Sequence, residues 1–311
     1  MDLDNVDLGW HCAPTFPGCE RNDAVSVTTT EGIYVFSGAG KSDNDPHVCV
    51  LTDSYFFSNS TQKWSRLNTS TPVGLLGASA TAISDQQLLF FGGYCKQTFD
   101  TLFAKLAHSQ SPVEERAILD GFMSQPVEAY GWNQDLWLFD TQRSVWSKLA
   151  ANPYPANCGA GLIRHDQKIL LVEGEVKPGL RSLDTKAFQI MADGIITCDL
   201  LASIVDSKPN HEGIAGGYAG LVNNTPTIAG GAYFIGSQKR YQQGHWFSHQ
   251  GLTKCYDNTI WQLHDSQWRN VGHLEQGQAY GMCVPLEQGM ALIGGENQQG
   301  EAITNCFIIS N

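Results

Sequence analysis

Phe90-Phe91-Gly92-Gly93 is an apolar run that ends in a turn of small residues, and this pattern recurs along the chain. The other copies are Val35-Phe36-Ser37-Gly38, Leu171-Val172-Glu173-Gly174-Glu175, Ile228-Ala229-Gly230-Gly231 and Leu292-Ile293-Gly294-Gly295. Successive turns lie 55, 81, 57 and 64 residues apart, which indicates one unit repeated five times with insertions. In the third copy the second glycine of the turn is replaced by a glutamate. We interpret this exception, Glu175, as the place to expect chemistry, because a break in a repeat usually serves something other than the fold.

Each unit contains the pattern of four β-strands. A strand of small residues precedes the apolar run, as in Gly77-Ala78-Ser79-Ala80-Thr81, and a strand of aromatic and aliphatic residues follows the turn, as in Asp135-Leu136-Trp137-Leu138-Phe139. A polar hairpin loop and an outer strand with a tryptophan come next, and the clear examples are Trp64, Trp146 and Trp268. The pattern resembles the kelch β-propeller over nearly the whole chain, and we expect the tryptophans to pack between blades.

The two ends of the chain predict how the ring closes. The last unit stops after its third strand, Cys306-Phe307-Ile308-Ile309-Ser310, and the chain begins with a lone fourth-strand pattern at Gly9-Trp10-His11-Cys12-Ala13-Pro14. Pairing the two would remove an exposed edge. We therefore predict an all-β fold, a single kelch-type β-propeller domain over residues 1–311, with five countable four-stranded blades and a ring closed by the N-terminal strand.

One insertion interrupts the repeat at about residues 96–130. Within it, Leu102, Phe103 and Leu106 alternate with polar residues in a helical pattern that continues to Phe122. We predict a partly helical excursion from one blade, which forms either a wall of a pocket on the propeller face or a surface decoration.

Composition excludes several classes of partner. The formal net charge of −12 argues against nucleic acid and against an anionic membrane. No apolar run approaches the ~20 residues needed to span a bilayer. The first residues are acidic and lack the apolar segment of a secretion signal, and the nine cysteines form no CxxC pairs. As the sequence stands, we expect free thiols and a cytoplasmic location.

The segment Gly174-Glu175-Val176-Lys177-Pro178-Gly179-Leu180-Arg181 is the sharpest candidate for a site. Its carboxylate and its guanidinium lie six residues apart on either side of a Pro-Gly turn, so both side chains can face one pocket. A carboxylate suits general acid/base catalysis, and an arginine suits bidentate capture of a substrate carboxylate. From the residues alone, a surface salt bridge remains the alternative.

At this segment the resemblance narrows from kelch repeats in general to one family. The pattern Gly-Glu-x-Lys-Pro-Gly-Leu-Arg resembles the catalytic loop of the bacterial N-acetylneuraminate epimerase (sialic acid mutarotase) family. Further matching motifs are Phe16-Pro17-Gly18 with Arg21, Gly216-Gly217-Tyr218-Ala219-Gly220, Ala229-Gly230-Gly231-Ala232, Tyr241-Gln242 with Gly244, His249 with Gly251-Leu252, Ala279-Tyr280-Gly281 and Leu292-Ile293-Gly294-Gly295-Glu296.

This resemblance implies a reaction and a set of residues. Glu175 would be the general acid/base and Arg181 its partner, holding the substrate carboxylate or the developing charge. Arg21, His249 and Tyr280 would line the same mouth and bind substrate, although His249 could equally be a structural loop residue. The implied reaction interconverts the α and β anomers of N-acetylneuraminate through ring opening, which needs no metal, nucleotide or redox cofactor. The partner is thus a small sugar acid, and the oligomeric state, a homodimer included, stays open.

The sequence also departs from the family it resembles. That family is six-bladed, its chains begin with a further half-repeat or more, and a secretion signal usually directs them to the periplasm. A truncated start would therefore imply a periplasmic protein. Gln250 stands where the family typically has glutamate, and Lys239 and Arg240 are displaced from its pattern.

Three alternative functions remain open at the level of sequence. The first is a kelch scaffold that binds a protein, and the second is a propeller that binds sialic acid without turning it over. A copper radical oxidase is a distant third, because the chain offers no convincing set of two tyrosines and two histidines for copper.

Overall fold

Each apolar run forms the second strand of an antiparallel sheet, counted from the innermost strand, in the residues that the computed structural model describes, 9–43, 45–191 and 196–310. The first unit contains β1 (Arg21–Asn22), β2 (Val25–Thr28), β3 (Gly32–Phe36), β4 (Ala39–Gly40), β5 (Cys49–Val50), β6 (Ser54–Ser58) and β7 (Lys63–Arg66). The second contains β8 (Ser79–Ser84), β9 (Gln87–Phe91), the helices α1 (Lys96–His108) and α2 (Pro112–Met123), β10 (Asp135–Asp140) and β11 (Val145–Ala151).

The other three units follow the same plan. The third contains β12 (Gly161–His165), β13 (Lys168–Val172), β14 (Glu175–Lys177), β15 (Leu180–Arg181), β16 (Thr185–Ile190), β17 (Ile196–Leu201) and the short helix α3 (Ile204–Ser207). The fourth contains β18 (Tyr218–Val222), β19 (Thr225–Ala229), β20 (Ala232–Phe234), α4 (Ser237–Gln242), β21 (Lys254–Tyr256), β22 (Thr259–His264) and β23 (Gln267–His273). The fifth contains β24 (Gln278–Ala279), β25 (Met282–Pro285), β26 (Met290–Ile293), β27 (Glu296–Asn297) and β28 (Cys306–Ile309).

In the described residues the long strands assemble into five blades, as the repeat predicts. Four blades have four strands in the orders β2-β3-β6-β7, β8-β9-β10-β11, β12-β13-β16-β17 and β18-β19-β22-β23. The fifth has the order β25-β26-β28. The short strands pair separately, as β1-β4-β5, β14-β15, β20-β21 and β24-β27. The all-β propeller predicted from the repeat is confirmed.

The hydrophobic core lies between blades rather than within one blade. Phe36 of the first blade packs with Phe90 and Phe139 of the second. Phe91 of the second blade packs with Phe188 of the third. The runs β9 and β13, which have a neighbouring blade on each side, are therefore buried on both faces, whereas β3 of the first blade alternates between buried and half-buried residues.

Two of the three outer-strand tryptophans, Trp146 and Trp268, also join blades. Trp146 on β11 packs against Phe36 of the preceding blade at a centroid distance of 5.4 Å. Trp268 on β23 is buried, and its indole N–H donates to the Thr185 hydroxyl of the preceding blade at 3.0 Å. The indole of Trp64 donates instead to the carbonyl of Pro14 at 3.1 Å. Each of these rings thus has a structural contact.

The N-terminal segment lies against the first blade. Residues 9–20 form no strand in the described structure, and the Phe16 ring packs against Tyr55 and Trp64 of the first blade. No closing strand is therefore seen beside β28 among the described residues, and ring closure by this segment stays a prediction.

The insertion consists of α1, α2 and a single 3₁₀ turn at Val127–Tyr130. Ser111 caps α2, since its hydroxyl accepts the amide of Glu114 at 3.2 Å. Tyr130 and Trp132 at the end of the insertion are buried against Ala156 and Cys158, which lead into the third blade. The insertion is thereby attached to the blade that carries the candidate catalytic segment.

Candidate active site

A ladder of backbone hydrogen bonds crosses the blades just before their inner strands. Gly77 donates to Asp23, Gly159 to Gly77, Gly216 to Gly159, and Tyr280 to Gly216, at 2.8–3.1 Å. All five residues have a left-handed backbone, with φ between 51° and 68°. Glycine adopts this conformation at little cost, whereas for Asp23 and Tyr280 it costs conformational free energy. Such exceptions concentrate at functional sites. The ladder therefore places two costly side chains, Asp23 and Tyr280, on the face of the blades where it runs, which we call the mouth.

The residue beside each rung pairs with the first residue after the small-residue turn. These partners are, from the first blade to the fifth, Ala39, Tyr94, Glu175, Ala232 and Glu296. Glu175 is thus the residue that follows the turn and not the replacement for one of its glycines. That replacement is Glu173, whose φ of 54° matches the 69°, 66° and 64° of Gly92, Gly230 and Gly294. Our assignment of the repeat's exception to Glu175 was wrong in this respect.

Glu173 has a structural role. Its carboxylate is fully buried and accepts the amide of Ile214 at 2.6 Å and a ring nitrogen of His211 at 2.8 Å. Ser37 occupies the same turn position in the first blade, where its hydroxyl accepts the amide of Leu75 at 3.4 Å. In both blades the exceptional side chain therefore binds a backbone amide of the next blade.

Glu175 and Arg181 face each other across the β14–β15 hairpin, where they are in register. Arg181 Nη1 donates to Glu175 Oε1, and Arg181 Nε donates to the carbonyl of Ala232 at 2.9 Å. The Arg181 side chain is 1 % exposed and the Glu175 side chain 21 %. The carboxylate is therefore accessible from the mouth, and the guanidinium lies beneath it.

Glu175 has two further neighbours. The hydroxyl of Tyr94, from the equivalent position of the preceding blade, donates to Oε2 at 3.3 Å, and burial raises the pKa of Tyr94 well above its usual value. Tyr94 is thus a neutral donor. The Asp23 carboxyl is exposed at the mouth, and its pKa is raised first by lost hydration and then by the negative charge of Glu175.

The ring of His249 packs against the turn of the β14–β15 hairpin at Gly179. Its ring lies between Phe234 and Phe247, at centroid distances of 4.9 and 4.8 Å, and directly against Gly179, where a β-carbon would overlap it. Burial, aided by the charges of Arg181 and Lys177, lowers the pKa of His249 to about 4. The ring is therefore neutral at pH 7, and its Nδ1 has no hydrogen-bond partner among the described residues.

Lys177 joins the hairpin to two covering segments. Its buried ammonium donates to the carbonyls of Met123 and Gln125, at the end of α2, and to that of Trp246, after α4, at distances between 2.5 and 3.1 Å. Burial lowers the pKa of Lys177 to about 8. One side chain of the candidate catalytic segment thus holds the insertion and the loop after α4 together.

Tyr280 is the last residue of the ladder and lies between Gly216 and Lys254. It is 43 % exposed, and its ring packs over Gly216 of the ladder. Its pKa is raised by lost hydration, while the charges of Arg181, Glu175 and Lys254 act on its hydroxyl. The Lys254 ammonium lies 4.5 Å from the ring centre of Tyr280.

Arg21 is engaged in structural contacts. Its guanidinium donates to both oxygens of Asp53, at 2.7 and 3.1 Å, and to the carbonyls of Ser37 and Cys19. The Phe16 and Tyr55 rings cover it. The structure thus brings Glu175, Arg181, His249 and Tyr280 together, and it holds Arg21 in a network of the first blade.

Several residues of the mouth were missed by sequence reasoning: Asp23, Tyr94, Lys254, Tyr256 and Glu296. One signal was available, because Tyr94 and Glu296 follow their turns as Glu175 follows its own, and an alignment of the five units pairs them.

In the described part of the chain, no group of three or more His, Cys, Asp or Glu side chains is arranged to hold a metal ion. None of the helices in the same residues has the length and apolar character that a membrane span requires. None of the nine cysteines, all of them in described segments, forms a disulfide.

Comparison with known proteins gives consistent results. The family model for N-acetylneuraminate epimerase matches residues 1–311. A kelch domain-containing protein of Vibrio cholerae is 39 % identical over 99 % of this chain and 87 % of its own length. N-acetylneuraminate epimerases of Vibrio vulnificus and Yersinia pestis are each 35 % identical, over 99 % and 97 % of this chain and 82 % and 78 % of their own lengths. The solved structure of YjhT superposes with a TM-score of 0.91 at 30 % identity, covering 97 % of this chain and 85 % of that one.

Proposed function

Because the chain belongs to the N-acetylneuraminate epimerase family, we propose that it interconverts the α and β anomers of N-acetylneuraminate, with Glu175 as the general acid/base. The observation that carries this assignment of Glu175 is the β14–β15 hairpin. It presents an accessible carboxylate above a buried guanidinium, beside the backbone ladder that joins successive blades. The enzyme is therefore an isomerase that acts on a small sugar acid.

The reaction needs one proton to leave and one to arrive. Glu175 takes the proton of the anomeric hydroxyl, the bond between the anomeric carbon and the ring oxygen breaks, and the ring oxygen receives a proton. The product is the open-chain 2-keto acid. Rotation about the bond next to the ketone presents its other face, and the reverse steps close the ring as the opposite anomer. A single carboxyl group can move both protons if the substrate or a water molecule bridges the two oxygens.

The neighbours of Glu175 prepare it for this task. Arg181 compensates the negative charge and fixes the orientation of Oε1, and the Gly179 amide lies 3.4 Å from the same oxygen. Tyr94 fixes Oε2. The neutral His249 ring and the two phenyl rings beside it cover the hairpin at Gly179, and such apolar cover strengthens the electrostatic interactions within it. Tyr280 faces the carboxylate from the opposite side of the mouth as a hydrogen-bonding group for substrate.

The direct test is proton NMR of freshly released α-N-acetylneuraminate, in which the C3 protons report each anomer over time. We expect the wild-type protein to accelerate equilibration. Glu175→Gln should lower the catalysed rate by about 10²- to 10⁴-fold. Broadening of the substrate's proton lines on addition of protein, without acceleration, would identify a sialic acid binder that does not catalyse the reaction. No effect on either observable would contradict the proposal and favour a protein-binding propeller.

A further inference from the structure

Arg181 is poorly placed to bind the carboxylate of an incoming sugar acid. Its side chain is 1 % exposed, and its guanidinium already donates to Glu175 and to the carbonyl of Ala232. The Phe234 ring also lies 5.5 Å from its central carbon. Because so little of Arg181 is accessible, a substrate carboxylate could reach it only by moving the groups that cover it, Glu175 among them. Another cation should therefore receive the substrate's charge.

Two other cations near the mouth are already engaged. The Lys177 ammonium donates its three hydrogens to three backbone carbonyls, and its side chain is fully buried. The Arg21 guanidinium is paired with Asp53 and backbone carbonyls. Meanwhile Asp23, Glu175 and Glu296 all add negative charge here, and the chain as a whole carries −12. An anionic substrate therefore needs a local cation at this surface.

Lys254 has the required position and exposure. It lies on β21, in register with Phe234, and its side chain is 35 % exposed. Its ammonium is 3.0 Å from Glu296 Oε1 and lies over the rings of Tyr280, at 4.5 Å, and Tyr256, at 5.1 Å. Of the three hydrogens on this ammonium, the pair with Glu296 uses one. The two aromatic faces fix its position, and even when the Tyr280 hydroxyl accepts a second hydrogen, one remains for a ligand.

The surroundings of Lys254 repeat those of Glu175. Glu296 follows the turn of the fifth blade as Glu175 follows that of the third. Each carboxylate is paired with a cation, and each accepts a tyrosine hydroxyl, from Tyr256 and from Tyr94 respectively. The difference is exposure: the cation is buried beneath Glu175 and accessible beside Glu296. We propose that Lys254, held by Glu296, Tyr256 and Tyr280, binds the carboxylate of the substrate while Glu175 acts at the anomeric centre.

This assignment rests on the proposed function, and it divides the mouth between binding and chemistry. Lys254→Gln should therefore raise KM by about 10- to 100-fold, the loss expected for one charge-assisted hydrogen bond, with kcat changed by less than about threefold. Lys254→Arg should recover a large part of the affinity. The matched control is Lys148→Gln, which removes another lysine in an ion pair with a carboxylate, here Asp135 at 2.8 Å, from the outer strands of the second blade.

The decisive comparison is between N-acetylneuraminate and its methyl ester, which lacks the charge. Wild-type protein should prefer the acid, whereas Lys254→Gln should bind and turn over both alike. Calorimetric titration of both ligands separates this proposal from the proposed function, because binding is measured whether or not turnover occurs. A variant that keeps the wild-type preference for the acid would overturn the role of Lys254, even if catalysis by Glu175 is confirmed. Wild-type protein that neither binds nor converts the acid would overturn both.

Discussion

Tyr94 and Glu175 occupy equivalent positions in adjacent blades, and the hydroxyl of the first donates a hydrogen bond of 3.3 Å to Oε2 of the second. Each is the first residue after its turn, so the backbone of the repeat brings the two side chains together. The contact crosses a blade boundary, and the position of the Glu175 carboxylate, the general acid/base that we propose, therefore depends on how two blades are docked. A change in the second blade can for this reason alter chemistry in the third.

Tyr94→Phe should lower kcat by about 3- to 10-fold and leave KM nearly unchanged. The substitution removes one long hydrogen bond of 3.3 Å, worth about 1 kcal/mol, from a carboxylate that keeps its pairing with Arg181. Anomer exchange measured by NMR at several substrate concentrations separates the two parameters. A rise in KM at constant kcat would instead place Tyr94 among the binding groups.

The two glutamates of the third turn should respond in opposite ways to the same substitution. Glu173→Gln should lower the free energy of unfolding by about 2 kcal/mol, because a buried carboxylate loses charge-assisted bonds to Ile214 and His211. Its activity per folded molecule should persist. Glu175→Gln should instead lose activity and keep most of its stability, since the carboxylate is partly exposed.

Urea unfolding and the NMR assay on both variants test this pair of expectations. The substituted residues are two positions apart and the chemical change is identical, so each variant is the control for the other. Loss of activity in both at full folding would mean that Glu173 also takes part in the reaction.

Asp23→Asn should stabilise the protein at pH 7 by about 0.3–0.5 kcal/mol, a small value because the group is exposed and screened. The folded state raises the pKa of Asp23, so the ionised carboxyl costs stability. This cost is absent below the unfolded pKa of about 3.8 and appears as pH rises through the higher, folded value. The difference in unfolding free energy between variant and wild type should accordingly vanish near pH 3. A difference that is constant with pH would argue against this cause.

The repeat makes the fold readable from sequence, whereas the site is only partly readable. The glycine turns can be recognised in the sequence because few other residues adopt the left-handed backbone conformation of these turns. This is enough to count blades and to locate Glu175. Glu173 and Glu175 flank the same glycine, however, and only the backbone angle of 54° at Glu173 shows which of them replaces a turn residue. Local pattern alone cannot make that distinction.

Contacts between residues that are far apart in the sequence are the part that sequence could not supply. Lys254 and Glu296 are 42 positions apart and lie in different blades, and Arg21 meets Asp53 over 32 positions. Which cation is paired and which is accessible depends on the angles between sheets, and no local spacing encodes these angles. This is why Arg21 could be counted as a ligand and Lys254 overlooked.

Lys177→Met should loosen the covering segments without removing any group that touches the reacting atoms. Methionine keeps the length of the side chain and offers no donor, so the carbonyls of Met123, Gln125 and Trp246 lose their shared partner. We expect a loss of about 1–3 kcal/mol and faster amide exchange at the end of α2 and around Trp246. Lys239→Met, at an exposed position of the neighbouring α4, is the control. Exchange that is unchanged in both variants would show that the segments are held by other contacts.

The neutral ring of His249 predicts how the protein responds to acid. Its pKa of about 4 in the folded state lies below the unfolded value of about 6.5, so the unfolded chain binds the proton first as pH falls. The resulting stability is fully present above pH 6.5 and is lost between pH 6.5 and 4, amounting to roughly 2 kcal/mol after allowance for partial exposure. His249→Gln should show a shallower loss over this window, whereas the same substitution at the exposed His108 should follow wild type. Chemical unfolding at half-unit pH steps measures it, and parallel curves for His249→Gln and wild type would show that His249 takes up its proton equally in both states.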